Sequence, residues 1–183
     1  MKFFKKGFTL IELIVVVSIV GLMSTFIIVN ITDARNKAKA ANLINQFKEI
    51  EKAFYFTYLD ENRSTFWTDA EIGFGNNPTL DEIISIESGP LAGFSDYFPH
   101  NNLTNLFNGG EYDFDNDGDV QYCGIGGSSG VSLSVVVQNE YDIAKDMEAL
   151  VDGDDDFNCG KFRYNGSRMK WSISDDGSEI EFN

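Results

Sequence analysis

The feature that most constrains this sequence is an apolar run near its N-terminus. From Phe8 to Val29 the chain has 22 residues, and Glu12 is the only ionisable group among them. A helix of roughly 20 apolar residues is long enough to cross a bilayer. The run therefore predicts a transmembrane helix over residues 8–30.

The residues around this run indicate where the chain is processed and how it is oriented. A secretory signal peptide carries its cleavage site after the apolar stretch, but here the basic residues Lys2, Lys5 and Lys6 and then Gly7 all precede it. Processing is therefore expected before the run. The positive-inside rule predicts that the N-terminus is cytoplasmic and that everything after about residue 30 lies outside.

Residues 7–12 read GFTLIE and follow two lysines. This pattern resembles the processing motif of type IV pilins and type II secretion pseudopilins. The resemblance implies that residues 1–7 are a leader peptide. It also implies that a membrane prepilin peptidase and methyltransferase cleaves between Gly7 and Phe8 and methylates the new amine of Phe8. The implied partners are copies of the same chain in a helical homopolymer and an assembly platform in the inner membrane.

Glu12 requires a physical explanation, because a carboxylate inside a bilayer is costly and usually marks function. Cleavage would create a cationic amine at Phe8, four residues earlier on the same helix. Glu12 could pair with that amine or with the amine of a neighbouring subunit, and the resemblance favours the neighbour. We therefore predict that Glu12 is an assembly residue; a tolerated polar residue near the membrane interface is the alternative.

The helix is expected to continue beyond the membrane. Residues 31–59 contain no proline or glycine, and their apolar residues recur at three- and four-residue steps, which is typical of one buried helix stripe. These residues are Ala40, Leu43, Ile44, Phe47, Ile50 and Phe54. We predict one helix from Phe8 to about Tyr58, with an amphipathic half that packs on a following domain.

Residues 60–183 form the predicted globular domain. Glycine and proline interrupt residues 60–110, which are expected to be irregular apart from a short helix at 79–86. Further on, the patterns predict one helix at 139–150 and strands at 131–137, 161–164, 169–173 and 179–182. The fold class is α+β, with a long N-terminal helix packed on a small C-terminal domain that contains a short antiparallel sheet.

The domain is strongly acidic. The whole chain carries a formal charge of −15, and from residue 60 onward 25 acidic residues face six basic ones. Nucleic-acid binding needs clustered lysine and arginine. The charge therefore argues against nucleic-acid binding by the folded domain.

Two acidic stretches predict a calcium site. Carboxylates alternate at Asp113, Asp115, Asp117 and Asp119, with Gly118 at the sixth position of a calcium loop. The twelfth position is Gly124 rather than glutamate, which excludes an EF-hand. The missing ligands are expected from a second acidic loop, whose residues are Asp152, Asp154, Asp155 and Asp156. Two solvated acidic loops are the alternative.

The second acidic loop lies in the segment from Asp142 to Tyr164. This segment resembles the C-terminal part of pseudopilin-like pilins, where a helix leads into an acidic loop, a glycine and a strand. The resemblance supports the interpretation of the loop as a site.

Cys123 and Cys159 are the only cysteines and both lie in the part predicted to be exported. One disulfide is the simplest interpretation in an oxidising compartment, and two free buried thiols are the alternative. A bridge between them would also hold the two acidic stretches near each other.

No enzyme motif stands out. His100 is the only histidine and lies in an asparagine-rich turn, and there is no nucleophile elbow, P-loop or HExxH motif. The chain is therefore interpreted as a structural subunit of a type IV pilus or type II secretion pseudopilus. It would be a single-pass cytoplasmic membrane protein first and part of a surface or periplasmic filament later. A membrane-anchored, monomeric calcium-binding adhesin or receptor is the alternative.

Overall fold

The structure is a computed structural model that describes residues 7–73, 77–98, 111–115, 131–137 and 139–174. Its helices are α1 (Leu10–Asp60), α2 (Asp69–Ile72), α3 (Leu80–Ile84), α4 (Phe94–Tyr97) and α5 (Tyr141–Val151). Its strands are β1 (Tyr112–Asp115), β2 (Val131–Val136), β3 (Phe162–Tyr164) and β4 (Arg168–Ser174).

Helix α1 is one element of 51 residues, which corresponds to about 77 Å at 1.5 Å per residue. It begins two residues later than predicted because Thr9 caps it, and it ends at Asp60. The prediction of one continuous helix with an apolar half and an amphipathic half is confirmed. A long helix packed on a small domain with an antiparallel sheet confirms the predicted α+β class.

The four strands pair antiparallel in the order β1-β2-β4-β3. Successive side chains of a strand point to opposite faces, so the register defines two faces. One apolar row crosses all four strands through Phe114, Leu133, Trp171 and Phe162. All four side chains are buried, and this face packs on α1.

The second half of α1 supplies the other side of the core. Burial begins at Ala40, and the whole predicted stripe is buried. Phe47 stacks on Trp171 with ring centroids 5.6 Å apart. Phe54 contacts Phe114 at 4.8 Å. The helix is therefore part of the domain core from Ala40 onward.

A buried polar contact fixes α1 to the sheet within this core. The carboxylate of Glu51 accepts a hydrogen bond from Trp171 Nε1 at 2.8 Å and pairs with Lys161 Nζ at 2.5 Å. The same ammonium group lies 5.3 Å from the centroid of the Trp171 ring. A buried carboxylate is destabilising unless it is paired and hydrogen-bonded, so Lys161 and Trp171 together allow Glu51 to lie at this interface.

Two predictions for residues 60–115 need correction. Three short helices occupy the described residues between 60 and 98, where one was expected, because elements of four or five residues are too short to show periodicity. Tyr112–Asp115 is a strand, whereas its aspartates were interpreted as part of a loop; Tyr112 and Phe114 alternate with them at the two-residue period of a strand. The strand predicted at 179–182 lies outside the described residues.

We predict that Lys161→Met destabilises the full chain in detergent, because it leaves the Glu51 carboxylate buried without its cation. The expected loss in the free energy of unfolding is about 2 kcal/mol, less than for a fully buried pair, because the Lys161 side chain is 30 % exposed. Denaturant unfolding measures it. Lys145→Met, at an exposed position on α5, is the matched control; equal stability of the two variants would contradict the prediction.

Candidate processing and assembly site

The predicted cleavage point lies in non-helical chain just before α1. Gly7, Phe8 and Thr9 precede the first helical residue, Leu10, and Thr9 is extended, with φ −80° and ψ 152°. Phe8 is 86 % exposed. The peptide bond between Gly7 and Phe8 is therefore outside the helical hydrogen-bond ladder, where an enzyme can reach it without unwinding the helix.

Glu12 and Thr9 form a capping box at the start of α1. Glu12 Oε2 accepts hydrogen bonds from the backbone N–H and the hydroxyl of Thr9, both at 2.8 Å, and Thr9 Oγ1 accepts one from the Glu12 N–H at 3.3 Å. A carboxylate is also favoured near the positive end of the helix dipole. The carboxylate of Glu12 is thus satisfied within its own chain.

Thr9 is a functional residue that was not predicted from the sequence. A threonine followed three residues later by glutamate, immediately before an apolar run, is the sequence signature of a capping box. The signal was therefore present in the same six residues that carry the processing motif.

The side chains that the structure describes in the first part of α1, up to Thr25, have no protein cover in this chain. Every side chain described from Gly7 to Thr25 is exposed, and most of them are large and apolar. Among the described residues, α1 is the one helix that is long and apolar enough to cross a membrane. Such a surface needs lipid or other apolar helices around it.

The aspartates of the first acidic stretch that the structure describes are engaged in ion pairs. Asp113 accepts from Arg168 Nη1 at 2.6 Å, and the same nitrogen donates to Ser134 Oγ at 2.8 Å. Asp115 pairs with Lys170 at 3.5 Å. Both aspartates lie on the polar face of the sheet. Asp117 and Asp119 lie outside the described residues, so their role as ligands stays a prediction.

The second acidic stretch forms the acidic turn, residues 152–156, after α5. The two oxygens of Asp152 accept from the backbone N–H groups of Lys161 and Phe162, at 3.0 and 2.8 Å. Asp154 Oδ1 accepts from the N–H of Asp156 at 3.0 Å. These carboxylates shape the turn and join α5 to β3. In the part of the chain that the structure describes, no three acidic, histidine or cysteine side chains are arranged as a metal site.

Cys159 follows the acidic turn and its N–H donates to the carbonyl of Asp156 at 3.2 Å. Its predicted partner, Cys123, lies outside the described residues, as does His100. The disulfide between the two cysteines stays a prediction.

Glu148 is the ionisable residue in this region that the sequence analysis missed. Its side chain is fully buried on α5, and its carboxylate lies beside Asp152 and Asp154 of the acidic turn. Burial raises the pKa of Glu148 to about 7, and the neighbouring carboxylates of Asp154 and Asp152 add to the rise. Its position, four residues after Ala144 on the apolar stripe of α5, was the available signal.

The raised pKa of Glu148 predicts a pH-dependent stability. Between pH 4.5 and about 7 the folded state retains a proton that the unfolded state releases, so the free energy of unfolding should fall as the pH rises through this window. The fall should reach about 3 kcal/mol. Denaturant unfolding of the full chain in detergent with chelator, at several pH values, measures it.

Glu148→Gln should remove this contribution, because glutamine has no proton to release. Glu87→Gln, at an exposed position, should keep the slope of the wild type. An unchanged slope in Glu148→Gln would show that Glu148 does not titrate in this range.

A family comparison matches the part of the chain that contains the predicted cleavage point and the start of α1. The family described as the prokaryotic N-terminal methylation motif matches residues 3–28. No curated protein and no solved structure matches the chain. The chain carries the precursor signature of type IV pilins and pseudopilins, and the resemblance inferred from residues 7–12 is confirmed.

The motif supports a type IV pilin-like or pseudopilin protein and suggests a structural subunit. It also suggests processing by a prepilin peptidase and self-assembly. Together with the apolar half of α1, it is consistent with a membrane-anchored protein that forms surface or periplasmic filaments.

Proposed function

We propose that this chain is a structural subunit of a type IV pilus or a type II secretion pseudopilus, which polymerises through α1 after its leader is cleaved. The observation that carries the proposal is the exposed apolar half of α1, with one carboxylate in its first turn. This half continues without a break into the half that holds the domain. Packed against copies of itself, it would form an apolar filament core with the acidic domains outside.

Cleavage changes the chemistry at the start of the helix. Hydrolysis after Gly7 gives Phe8 a cationic amine, and methylation of that amine keeps its charge. The two hydrogen bonds that Glu12 accepts from Thr9 come from uncharged donors. The ammonium group of a neighbouring subunit would instead make a charge-assisted hydrogen bond in an apolar environment, which is stronger. Glu12 would therefore exchange Thr9 for the amine of an incoming subunit and fix the position of that subunit along the filament.

The proposal includes an orientation and partners. Lys2, Lys5 and Lys6 would hold the leader in the cytoplasm, with the acidic domain on the other side of the membrane. There the domain is free to enter a filament on the cell surface or in the periplasm. The partners would be the prepilin peptidase and methyltransferase, an assembly platform in the inner membrane, and further copies of this chain.

We predict that mature protein begins with N-methylated Phe8 and that Glu12→Ala inserts into the membrane but is absent from filaments. The helix of this variant is still apolar, but the charge partner of the incoming amine is missing. Mass spectrometry checks the N-terminus, and quantification of sheared filaments checks assembly in a strain that lacks the native subunit.

Ser18→Ala is the matched control, because Ser18 lies on the same exposed surface and its hydroxyl already bonds to the carbonyl of Ile14 at 2.8 Å. This variant should assemble normally. A normal filament yield from Glu12→Ala would contradict the pairing. An intact Met1 in the membrane protein would contradict the whole proposal and would favour the anchored adhesin.

We also propose calcium as a ligand of the acidic loops, on the chemistry of their donors. Hard cations bind carboxylate oxygens, and Asp154 and Asp155 are exposed. Asp113 and Asp115 would have to exchange Arg168 and Lys170 for the ion. This favours a site built from Asp117, Asp119 and the acidic turn.

If calcium binds only the folded state, it should raise the stability of the full chain by about 2.7 kcal/mol at a hundredfold excess over Kd. The melting temperature should rise with calcium and fall with chelator. Asp154→Asn together with Asp156→Asn should remove this response. The side-chain oxygen of asparagine can still accept the hydrogen bonds from the backbone N–H groups of the turn, so the turn should keep its shape. An equal response to sodium at matched ionic strength would show that the loops are only solvated.

A further inference from the structure

The charges of α1 are concentrated just beyond its membrane half. We define residues 31–39 as the basic neck; its charged residues are Asp33, Arg35, Lys37 and Lys39. The domain of the same chain covers the helix only from Ala40 onward. The side chains of Arg35 and Lys37 are exposed, and that of Lys39 is half-exposed.

The basic neck contrasts with the rest of the exported chain. Within the described residues, none of its three cations forms an ion pair. The domain beyond residue 59 carries 25 acidic residues against six basic ones. A rigid helix that presents uncovered cations beside an acidic domain calls for a partner of negative charge.

A second copy of this chain fits better than a membrane surface. Lys37 and Lys39 lie about 11 and 14 Å along the helix beyond residue 30, farther than the Debye length of roughly 8 Å at physiological salt, whereas Arg35 lies about 8 Å beyond it. The acidic domain just above the neck would also be repelled by anionic lipid. The same domain on a neighbouring subunit is attracted to the neck.

The structure indicates which part of that domain the neck can reach. The acidic turn lies near the level of Glu51, because Asp152 binds the backbone N–H of Lys161, whose ammonium group binds Glu51. Glu51 is 14 residues beyond Lys37, or about 21 Å along the helix. A parallel copy displaced by about 21 Å towards the membrane would therefore bring its acidic turn beside the neck.

The turn has negative charge available for such a partner. Asp154 and Asp155 are exposed. The bonds that the turn carboxylates accept come from backbone N–H groups and the Asn158 amide, which carry no positive charge.

We propose that the basic neck of one subunit docks against the acidic turn of another copy, in competition with calcium for the same carboxylates, so that Arg35, Lys37 and Lys39 face Asp154 and Asp155. This inference rests on the proposed filament function. Pairing of Phe8 with Glu12 of a neighbour would displace successive subunits by about 6 Å, four residues of helix. The displacement of about 21 Å needed for the neck contact equals three or four of these 6 Å steps. The contact would therefore join a subunit to the third or fourth subunit along the filament, at a radius between the apolar core and the outer layer of domains.

Charge reversal tests the contact. Arg35→Glu, Lys37→Glu and Lys39→Glu combined should lower the yield of sheared filaments by about tenfold or more, while leader cleavage and membrane insertion stay normal. Tenfold corresponds to about 1.4 kcal/mol per subunit. The matched control combines Lys48→Glu, Lys52→Glu and Lys145→Glu, three exposed lysines beside or on the domain, and should assemble like the wild type.

A charge swap makes the test specific. Asp154→Lys with Asp155→Lys should lower the yield on its own, and adding it to the neck triple variant should restore the yield to within about threefold of wild type. A normal yield from the neck triple variant would overturn the contact. A swap that fails to restore assembly would also overturn it. In that case, tighter binding of the wild-type chain than of the neck triple variant to anionic phosphatidylglycerol vesicles would assign the neck to lipid.

The two proposals fail in different ways. Wild-type protein that is cleaved and methylated but forms no filaments would contradict the filament function. Wild-type filaments whose yield is insensitive to the neck charges would overturn the neck contact alone.

Discussion

The rest of the structure depends on the burial of one stripe of α1 against the apolar face of the sheet. From Ala40 onward this stripe packs against aromatic side chains from β1 and β4. The buried carboxylate of Glu51 binds Trp171 and Lys161 and so fixes the position of the sheet along the axis of α1. Because the packed half is rigid and the helix has no break, the domain is held at a fixed height above the apolar half. In the proposed filament, any displacement of one apolar half along a neighbouring one would therefore be transmitted to the domains.

The parts of the fold that follow from local periodicity could be predicted from the sequence. The helical stripe from Ala40 to Phe54 repeats over enough turns to indicate a helix and its buried side. Helix α5 and strands β2, β3 and β4 lie within one or two residues of the predicted bounds. Strand β1 was misassigned because its aspartates suggested a calcium loop, and only pairing with β2, about 20 residues away in sequence, shows that Tyr112 and Phe114 point into the core.

The candidate site residues also fall into those that a local sequence pattern predicts and those that depend on contacts between distant parts of the chain. The processing motif, the apolar run and Glu12 occupy neighbouring positions, so the sequence alone was enough to recognise them. The ion pairs of Asp113 with Arg168 and of Asp115 with Lys170 join residues 55 positions apart, and no local pattern predicts them. Glu148 lies on the apolar stripe of α5, four residues after Ala144, and the packing of α5 shows that its carboxylate is buried there.

The capping box explains how one carboxylate can be stable in two settings. Before assembly, Glu12 needs hydrogen bonds because an unpaired charge near the bilayer is costly, and Thr9 supplies them from atoms at the exposed end of the helix. These bonds hold the carboxylate beside Phe8 without burying it. In the proposed filament, a charged amine would then replace them. In the apolar core that pair would be little affected by salt, whereas contacts of the exposed neck would be screened. Salt should therefore loosen the outer contacts of a filament before it affects the core.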